Sequence, residues 1–294
     1  MLESYLPWII ALWVAAIGGA VGSFLNVVVY RVPAGMNLSQ PGSHCPKCKH
    51  PIRWYDNVPV FGWLMLGGRC RDCGVWIPVR YPAVEACVAG LFLLIVLVEG
   101  LSFGANLPAR PAGAITGLVY PALAEEHVAG LLAWHLLLLC TLLSTTLIRF
   151  DGQAVPAKLF APALVTGLVG SILGAFLHPQ PAMVLEGGVS PGWVDGLAGA
   201  ASGAAIGWAL ARLVRQQPDT ATTLAATTVG LYLGWQATVV ILPVAVACHG
   251  LTWITARRWQ AGIRVSLLAW IGVGTILWIC NWRPVAECLF ATGG

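Results

Sequence analysis

Long apolar runs separated by short polar segments dominate the chain. Residues 4–30 carry no charge, and further apolar runs follow at about 82–103, 128–148, 159–177 and 195–213. A helix needs about 20 apolar residues to cross the hydrocarbon core of a bilayer. The pattern therefore predicts five membrane helices before residue 214, joined by polar loops.

The last third of the chain has a different pattern. Residues 220–256 contain no Asp, Glu, Lys or Arg. As one helix this run would be roughly 55 Å long, against a hydrocarbon core of about 30 Å. We therefore expect two helices here, with a turn near Gly234 and Trp235, and a last span at about 265–282. The sequence predicts an all-α polytopic membrane protein of about eight transmembrane helices.

The basic residues predict the orientation of these helices. Seven Lys and Arg lie between residues 31 and 81, whereas loops 104–127 and 178–194 together contain only Arg110. Because cytoplasmic loops are enriched in Lys and Arg, we expect the loop 31–81 in the cytoplasm and both termini outside. Further basic residues on the predicted cytoplasmic side are Arg149, Lys158, Arg212, Arg215, Arg257, Arg258 and Arg264.

Composition agrees with a membrane protein and excludes one class of partner. Of the 294 residues, 58% are hydrophobic and 10% charged, whereas about a quarter of the residues in soluble domains are charged. A net charge of +4 is too small to indicate a nucleic-acid partner. Glycines in the fifth span are spaced for close contact with another helix. They are Gly196, Gly199, Gly203 and Gly207.

The polar loop 31–81 contains two pairs of cysteines. Cys45 and Cys48 form the first pair, and Cys70 and Cys73 form the second, 21 residues later. Four thiolates at this spacing are typical of a closed, structural zinc site. The loop is too small and too polar to fold by apolar burial alone, so the metal would supply much of its stability. The alternative is a pair of disulfides or a redox pair, which the predicted reducing compartment disfavours.

The segments around these cysteines resemble a known family over residues 18–90. They are Gly22-Ser-Phe-Leu-Asn-Val-Val-Val-Tyr-Arg31, Cys45-Pro-Lys-Cys48, Pro51-Ile-Arg-Trp-Tyr-Asp-Asn-Val-Pro59, Gly68-Arg-Cys-Arg-Asp-Cys73 and Arg80-Tyr-Pro-Ala-Val-Glu85. The family is the bacterial prepilin leader peptidase/N-methyltransferase family. By this resemblance, residues 1–90 form the N-terminal domain. Residues 91–294 form a helix bundle corresponding to a degenerate aspartic peptidase region.

The resemblance implies a bifunctional enzyme of the bacterial inner membrane. Such enzymes cut the leader from type IV pilin and type II secretion pseudopilin precursors, and then methylate the new N-terminal amine with S-adenosylmethionine. The implied partners are pilin-like precursors and the bilayer, and the implied cofactors are zinc and S-adenosylmethionine. Four residues of the matching block are candidates for the cofactor or pilin site: Arg53, Asp56, Asn57 and Glu85.

The resemblance also implies two catalytic aspartates at the cytoplasmic face, and here the sequence departs from the family pattern. Counted from Pro156, the first aspartate position holds Arg149. Counted back from Trp235, the second position holds Thr222. Aspartic chemistry needs two carboxylates close enough to share a proton. Neither family position supplies one.

The nearest acids are Asp151 and Asp219, and two hypotheses follow. In one, these acids form a displaced catalytic pair. In the other, the peptidase half is impaired, because a shift of two residues turns a helical side chain by about 200° and a nearby arginine holds carboxyl groups ionised. We favour impaired cleavage. Two further alternatives are a non-enzymatic scaffold of a pilus or secretion assembly and a methyltransferase without protease activity.

Overall fold

The computed structural model describes residues 2–108, 125–185, 188–213, 220–259 and 265–290, and most of these residues are helical. A pair of two-residue antiparallel strands, Val184–Leu185 and Gly188–Val189, is the exception among them. The predicted all-α class is confirmed. The helices are α1 Leu2–Arg31, α2 Phe61–Met65, α3 Arg80–Ile95, α4 Glu125–Phe150, α5 Ala161–Leu173, α6 Gly192–Leu213, α7 Thr220–Leu233, α8 Trp235–Trp259, α9 Leu267–Cys280 and α10 Trp282–Phe290.

Five of the described helices are long and apolar enough to cross a membrane. They are Tyr5–Arg31, Arg80–Gly100 (α3 with its π-helical extension Val96–Gly100), His127–Phe150, Gly192–Leu213 and Trp235–Ala256. Two shorter apolar helices, Ala157–Leu173 and Leu267–Cys280, accompany them. The protein is therefore a polytopic membrane protein. The count of eight crossings stays a prediction.

The charge-free run after residue 220 is divided where the length argument predicted. Helix α7 ends at Leu233 and α8 begins at Trp235. Gly234 between them has φ +84°, a backbone conformation that favours glycine because it lacks a Cβ. The side chains of Trp235 and Gln236 then donate hydrogen bonds to the carbonyls of Ala182 (3.1 Å) and Pro181 (2.8 Å).

The chain forms two compact units, residues 1–97 and 98–294. In the first unit, α1 packs along α3 through glycines. A methyl group on Gly22 would lie 2.8 Å from the Cα of Glu85, and one on Gly18 would lie 2.7 Å from the Cβ of Phe92. Both distances are shorter than carbon atoms tolerate, so these two positions require glycine.

In the second unit, α6 packs along α7 through the predicted glycine face. A methyl group on Gly199 or Gly203 would collide with the backbone of Gly230 or Ala226, respectively. Small residues at such positions let helices approach closely in lipid. Helix α7 is buried along nearly its whole length. The close helix contact expected of the glycine face is confirmed.

Two helix ends of the second unit meet at the same end of the bundle. Only six residues separate the end of α4 from the short 3-10 turn that precedes α5. Helix α5 then runs toward residues 178–182, and there Trp235 and Gln236, which begin α8 directly after the end of α7, donate to the carbonyls of Ala182 and Pro181. Helix α7 therefore begins at the opposite end, together with the end of α4. Arg149 and Thr222 thus belong to one end of this unit.

Candidate functional site

The four cysteines of the loop 31–81 converge. Their sulfur atoms all lie within 4.8 Å of one another, and all four are free thiols. The Sγ atoms of Cys45 and Cys73 are 3.8 Å apart, and those of Cys48 and Cys70 are 4.0 Å apart. A tetrahedral zinc ion with Zn–S bonds of about 2.3 Å places its sulfur ligands about 3.8 Å apart. The cluster therefore fits a zinc ion and disfavours the disulfide alternative.

The two cysteine pairs have the same backbone geometry. The amide of Cys45 donates to the carbonyl of His50 (2.9 Å), and the amide of Lys49 donates to the carbonyl of Cys45 (2.9 Å). In the second pair, the amide of Cys70 donates to the carbonyl of Val75 (2.8 Å), and the amide of Gly74 donates to the carbonyl of Cys70 (2.9 Å). The fifth residue of each turn has positive φ, +63° at Lys49 and +68° at Gly74. Each turn therefore orients its two thiols in the same way.

The backbone also favours the ionised form of one cysteine. The amide of Cys48 donates a hydrogen bond to the sulfur of Cys45 and lowers the pKa of Cys45 to about 6. Since the thiolate is the form that binds metal, this hydrogen bond prepares Cys45 as a ligand at neutral pH.

Ion pairs join the second cysteine pair to the segment that precedes α2. The guanidinium of Arg71 donates to both carboxylate oxygens of Asp56, at 2.6 and 2.8 Å, and Arg53 donates to Asp72 at 3.0 Å. The hydrogen bond from Arg71 lowers the pKa of Asp56, whose side chain is only 6% exposed. Arg71 also lies over the ring of Tyr55, 5.5 Å from its centroid. These contacts hold the segment 53–57 against the four-cysteine cluster.

Glu85 also has a backbone partner. Its carboxylate accepts a hydrogen bond of 2.7 Å from the amide of Val60, which has φ +63° and immediately precedes α2. Three of the four predicted cofactor-binding residues, Arg53, Asp56 and Glu85, thus make structural contacts within the first unit. These contacts do not test cofactor binding, so the role of the four residues stays a prediction.

The fourth candidate, Asn57, lines a cavity of about 290 Å³ in the first unit. Helix α1 forms one wall, with Ser23 and Phe24, and residues 38–43 form another. The guanidinium of Arg31 at the end of α1 shapes that second wall, since it donates to the carbonyls of Asn37, Leu38 and Pro41 at 3.0, 3.0 and 2.7 Å. The sequence analysis assigned Arg31 no role, although it ends the first matching segment.

The first family position for a catalytic aspartate lies in the last turn of α4. Arg149 is half-buried there, and Asp151 follows as the exposed residue that caps the helix. The chain then turns at Gly152 with φ +72°, and the amide of Gln153 donates to the carbonyl of Ile148 (3.1 Å). This is the Schellman arrangement that ends many helices.

The second family position is buried inside the bundle. Thr222 lies in the first turn of α7 and is 3% exposed. The displaced candidate Asp219 lies outside the described residues. Neither of the two family positions in the described part of the chain carries a carboxyl group.

With this geometry established, similarity to known proteins defines the class. Residues 16–98 match the model of the Bacterial Peptidase A24 N-terminal domain, and these residues contain the four-cysteine loop between α1 and α3. The chain is thus a polytopic membrane protein with this N-terminal domain.

Relatives over longer alignments define the family. A prepilin leader peptidase/N-methyltransferase of Aeromonas hydrophila is 31% identical over 268 residues, which are 81% of this chain and 78% of the relative. The chain belongs to the prepilin leader peptidase/N-methyltransferase family. Proteins of the same name are 41% identical over 120 residues in Myxococcus xanthus and 31% identical over 194 residues in Neisseria gonorrhoeae.

The shorter alignments cover only part of this chain and of each relative. The Myxococcus xanthus match covers 41% of this chain and 35% of the relative, and the Neisseria gonorrhoeae match covers 58% of each. The chain therefore spans about a third to three fifths of these two relatives. No solved structure matches the chain.

Proposed function

We propose that the chain acts on the N-termini of pilin-like precursors at the cytoplasmic face of the bacterial inner membrane. In this proposal it retains methyl transfer to the N-terminal amine and has impaired leader cleavage. Family membership supports the substrate class. The seven Lys and Arg of the loop 31–81 support a cytoplasmic position for the four-cysteine cluster.

The observation that carries impaired cleavage is the pair of residues at the family's aspartate positions. Arg149 and Thr222 belong to one end of the second unit, as two cooperating residues must, but neither can share a proton with water as a carboxyl group does. A displaced catalytic pair would have to use Asp151, which lies two residues beyond the family position, a shift that turns a helical side chain by about 200°.

Zinc has a structural role in this proposal. Four thiolates complete a tetrahedral shell and leave no position for a catalytic water. The metal would fix the two cysteine turns, and through Arg71 and Asp56 it would hold the segment that ends at Asn57. Removing the metal would therefore disturb one wall of the cavity, although the metal itself would take no part in the chemistry.

We place the methyl-transfer site at this cavity. Its lining combines hydroxyl and amide groups of Ser23, Ser39 and Asn57 with the ring of Phe24, a mixture of polar and apolar groups typical of small-molecule pockets. S-adenosylmethionine would supply the methyl group. The role of the chain here would be to hold the pilin amine aligned with that group.

The alternatives predict different products. A scaffold neither cuts nor methylates. A methyltransferase without protease activity methylates only a pilin that another enzyme has already cut. An active protease with a displaced dyad cuts the precursor directly and loses that activity when Asp151 is changed to Asn.

The test is a product assay in detergent. Purified protein is mixed with a precursor pilin from its own cell, or with the same pilin already cut, and the products are weighed with and without S-adenosylmethionine. We expect no cleavage of the precursor, and methylation of the cut pilin. Cleavage that Asp151→Asn abolishes would refute impaired cleavage, and absence of both products would favour the scaffold.

A further inference from the structure

We propose that α2 is an interfacial helix whose outward apolar face, formed by Phe61, Leu64 and Met65, inserts into the cytoplasmic leaflet of the bilayer. The proposal goes beyond the proposed function, because it assigns a lipid-binding surface whether or not the enzyme cuts or methylates. The partner is the phospholipid bilayer itself.

The first argument is the distribution of side chains around α2. Phe61, Leu64 and Met65 are 65%, 57% and 76% exposed, and their spacing of i, i+3 and i+4 puts them on one face of a helix. Trp63 is turned the other way, where its indole nitrogen donates to the carbonyl of Ile77 at 2.9 Å. Gly62 packs against the backbone of Asp56. The side of α2 that carries Gly62 and Trp63 is thus fixed inward, and the face with Phe61, Leu64 and Met65 points outward.

The second argument is the level of α2 along the helix pair. The amide of Val60 is bonded to Glu85, five residues or about 7.5 Å into α3. Helix α3 with its π-helical extension has 21 residues and is about 31 Å long, close to the thickness of the hydrocarbon core. With Arg80 at the boundary, α2 begins roughly 7 Å inside it, within the depth of 5–10 Å to which interfacial helices insert.

An independent contact with α1 shows how the chain reaches α2. Pro59 lies against Gly19. A methyl group on Gly19 would be 3.3 Å from the Cβ of Pro59. Gly19 is twelve residues before Arg31, so about 18 Å of α1 extends past the point that Pro59 touches. The chain therefore turns back along the helix pair before α2 begins.

The third argument concerns the backbone, since an unpaired amide is costly in lipid. Three amides at the start of α2 are bonded: Val60 to Glu85, Phe61 to the carbonyl of Pro59 (2.6 Å) and Gly62 to the carbonyl of Val58 (2.7 Å). The Glu85 carboxylate thus satisfies an amide that has no helical partner. The loop 31–81 also carries seven Lys and Arg against two Asp, a net charge of +5, which suits an anionic lipid surface.

Two methionines allow a test on the unaltered full-length protein. Met65 is 76% exposed on α2, and Met36 is 42% exposed just after α1. The protein is placed in nanodiscs of phosphatidylethanolamine and phosphatidylglycerol, treated with a water-soluble oxidant, and digested. The rates at which the two methionines become sulfoxides are compared by mass spectrometry.

We expect Met36 to be oxidised severalfold faster than Met65, although Met65 is the more exposed side chain of the folded protein. Faster oxidation of Met65 would place α2 in water and overturn the proposal. The same comparison after unfolding in a denaturing detergent should show equal rates, which confirms that the difference comes from the folded, membrane-bound state.

A second experiment identifies what covers the face. A benzophenone amino acid replaces Met65 or, as the matched control, Met36, and the zinc content reports that the loop is still folded. Irradiation in the same nanodiscs should give a phospholipid adduct at position 65 and none at position 36. An adduct to another segment of the chain, to a second copy, or to no molecule at all would overturn the proposal.

Discussion

Each of the two units of the molecule is held together internally by a different kind of contact. In the first, polar side chains define the structure around the four cysteines, with Asp56 paired to Arg71 and Glu85 bonded to the amide of Val60. In the second, α6 packs closely on α7 through glycines, as at Gly199 and Gly203, which meet the backbone of Gly230 and Ala226. A polar contact requires particular residue types at both of its positions, so the first unit contains a recognisable sequence motif. Helix packing does not depend on a carboxyl group at positions 149 or 222.

The largest effect should come from removing thiols of the four-cysteine cluster in the first unit. Structural zinc sites stabilise small domains by about 10–16 kcal/mol, so the double change Cys45→Ser and Cys73→Ser should abolish zinc binding and unfold the loop. Atomic emission measures the zinc content, and limited proteolysis of residues 31–81 measures the unfolding of the loop. Cys87→Ser changes an exposed cysteine outside the cluster and serves as the control. Full zinc content in the double variant would contradict the four-thiolate site.

The second prediction tests the missing carboxylates of the second unit. The double change Arg149→Asp and Thr222→Asp places an acid at each family position. Positioned acid–base groups accelerate reactions by about 10²–10⁴-fold, so leader cleavage should rise by roughly 100-fold or more over the unaltered protein. Each single change should have little effect, because one carboxyl group cannot both activate water and donate a proton. Equal cleavage by the double variant and the unaltered protein would show that these positions are not the catalytic ones.

The third prediction tests the glycine packing of the second unit. Gly203→Ala places a methyl group against the backbone of Ala226, and overpacking of this kind costs about 1–3 kcal/mol. Thermal unfolding in detergent should therefore occur at a lower temperature. Gly272→Ala is the matched control, since a methyl group there meets no atom within 4 Å. Equal losses in the two variants would mean that helix contact is not the cause.

The sequence predicted those features that depend on local pattern. Helix α1 was expected at 4–30 and is found at Leu2–Arg31, and the turn at Gly234 followed from helix length alone. The cysteine cluster followed from the sequence spacing, because the turn that contains each cysteine pair orients the two thiols of that pair.

Contacts between distant segments could not be predicted in the same way. His135 is fully buried beside Glu99, with its Nδ1 atom 2.8 Å from the carboxylate, although 36 residues separate them. The pairing of Arg71 with Asp56 and the bond from Val60 to Glu85 are likewise tertiary. Their positions in the block that resembles the family made Asp56 and Glu85 candidates for a site, and only the folded structure assigns them partners.

The fourth prediction returns to the polar contacts of the first unit. Asp56→Asn removes the charge that pairs with Arg71 and should lower the thermal stability of the loop at neutral pH. Because Arg71 lowers the pKa of Asp56 in the folded state, its contribution is present above the usual aspartate pKa of about 4 and is lost as the pH falls through the lower, folded value. Melting temperatures of the two proteins should therefore converge in acid. A difference that persists below this range would point to lost packing instead of lost charge.

The smallest effect distinguishes the two cysteine turns themselves. Both require positive φ at their fifth residue, but the first uses Lys49 and the second uses Gly74. A side chain in this conformation costs about 1 kcal/mol, so Lys49→Gly should slow the loss of zinc to a chelator, and Gly74→Lys should accelerate it. Lys49→Ala is the control for the lost charge, because it keeps the Cβ and should leave the rate near that of the unaltered protein. If Ala and Gly at position 49 slow the loss equally, charge and not backbone strain separates the two turns.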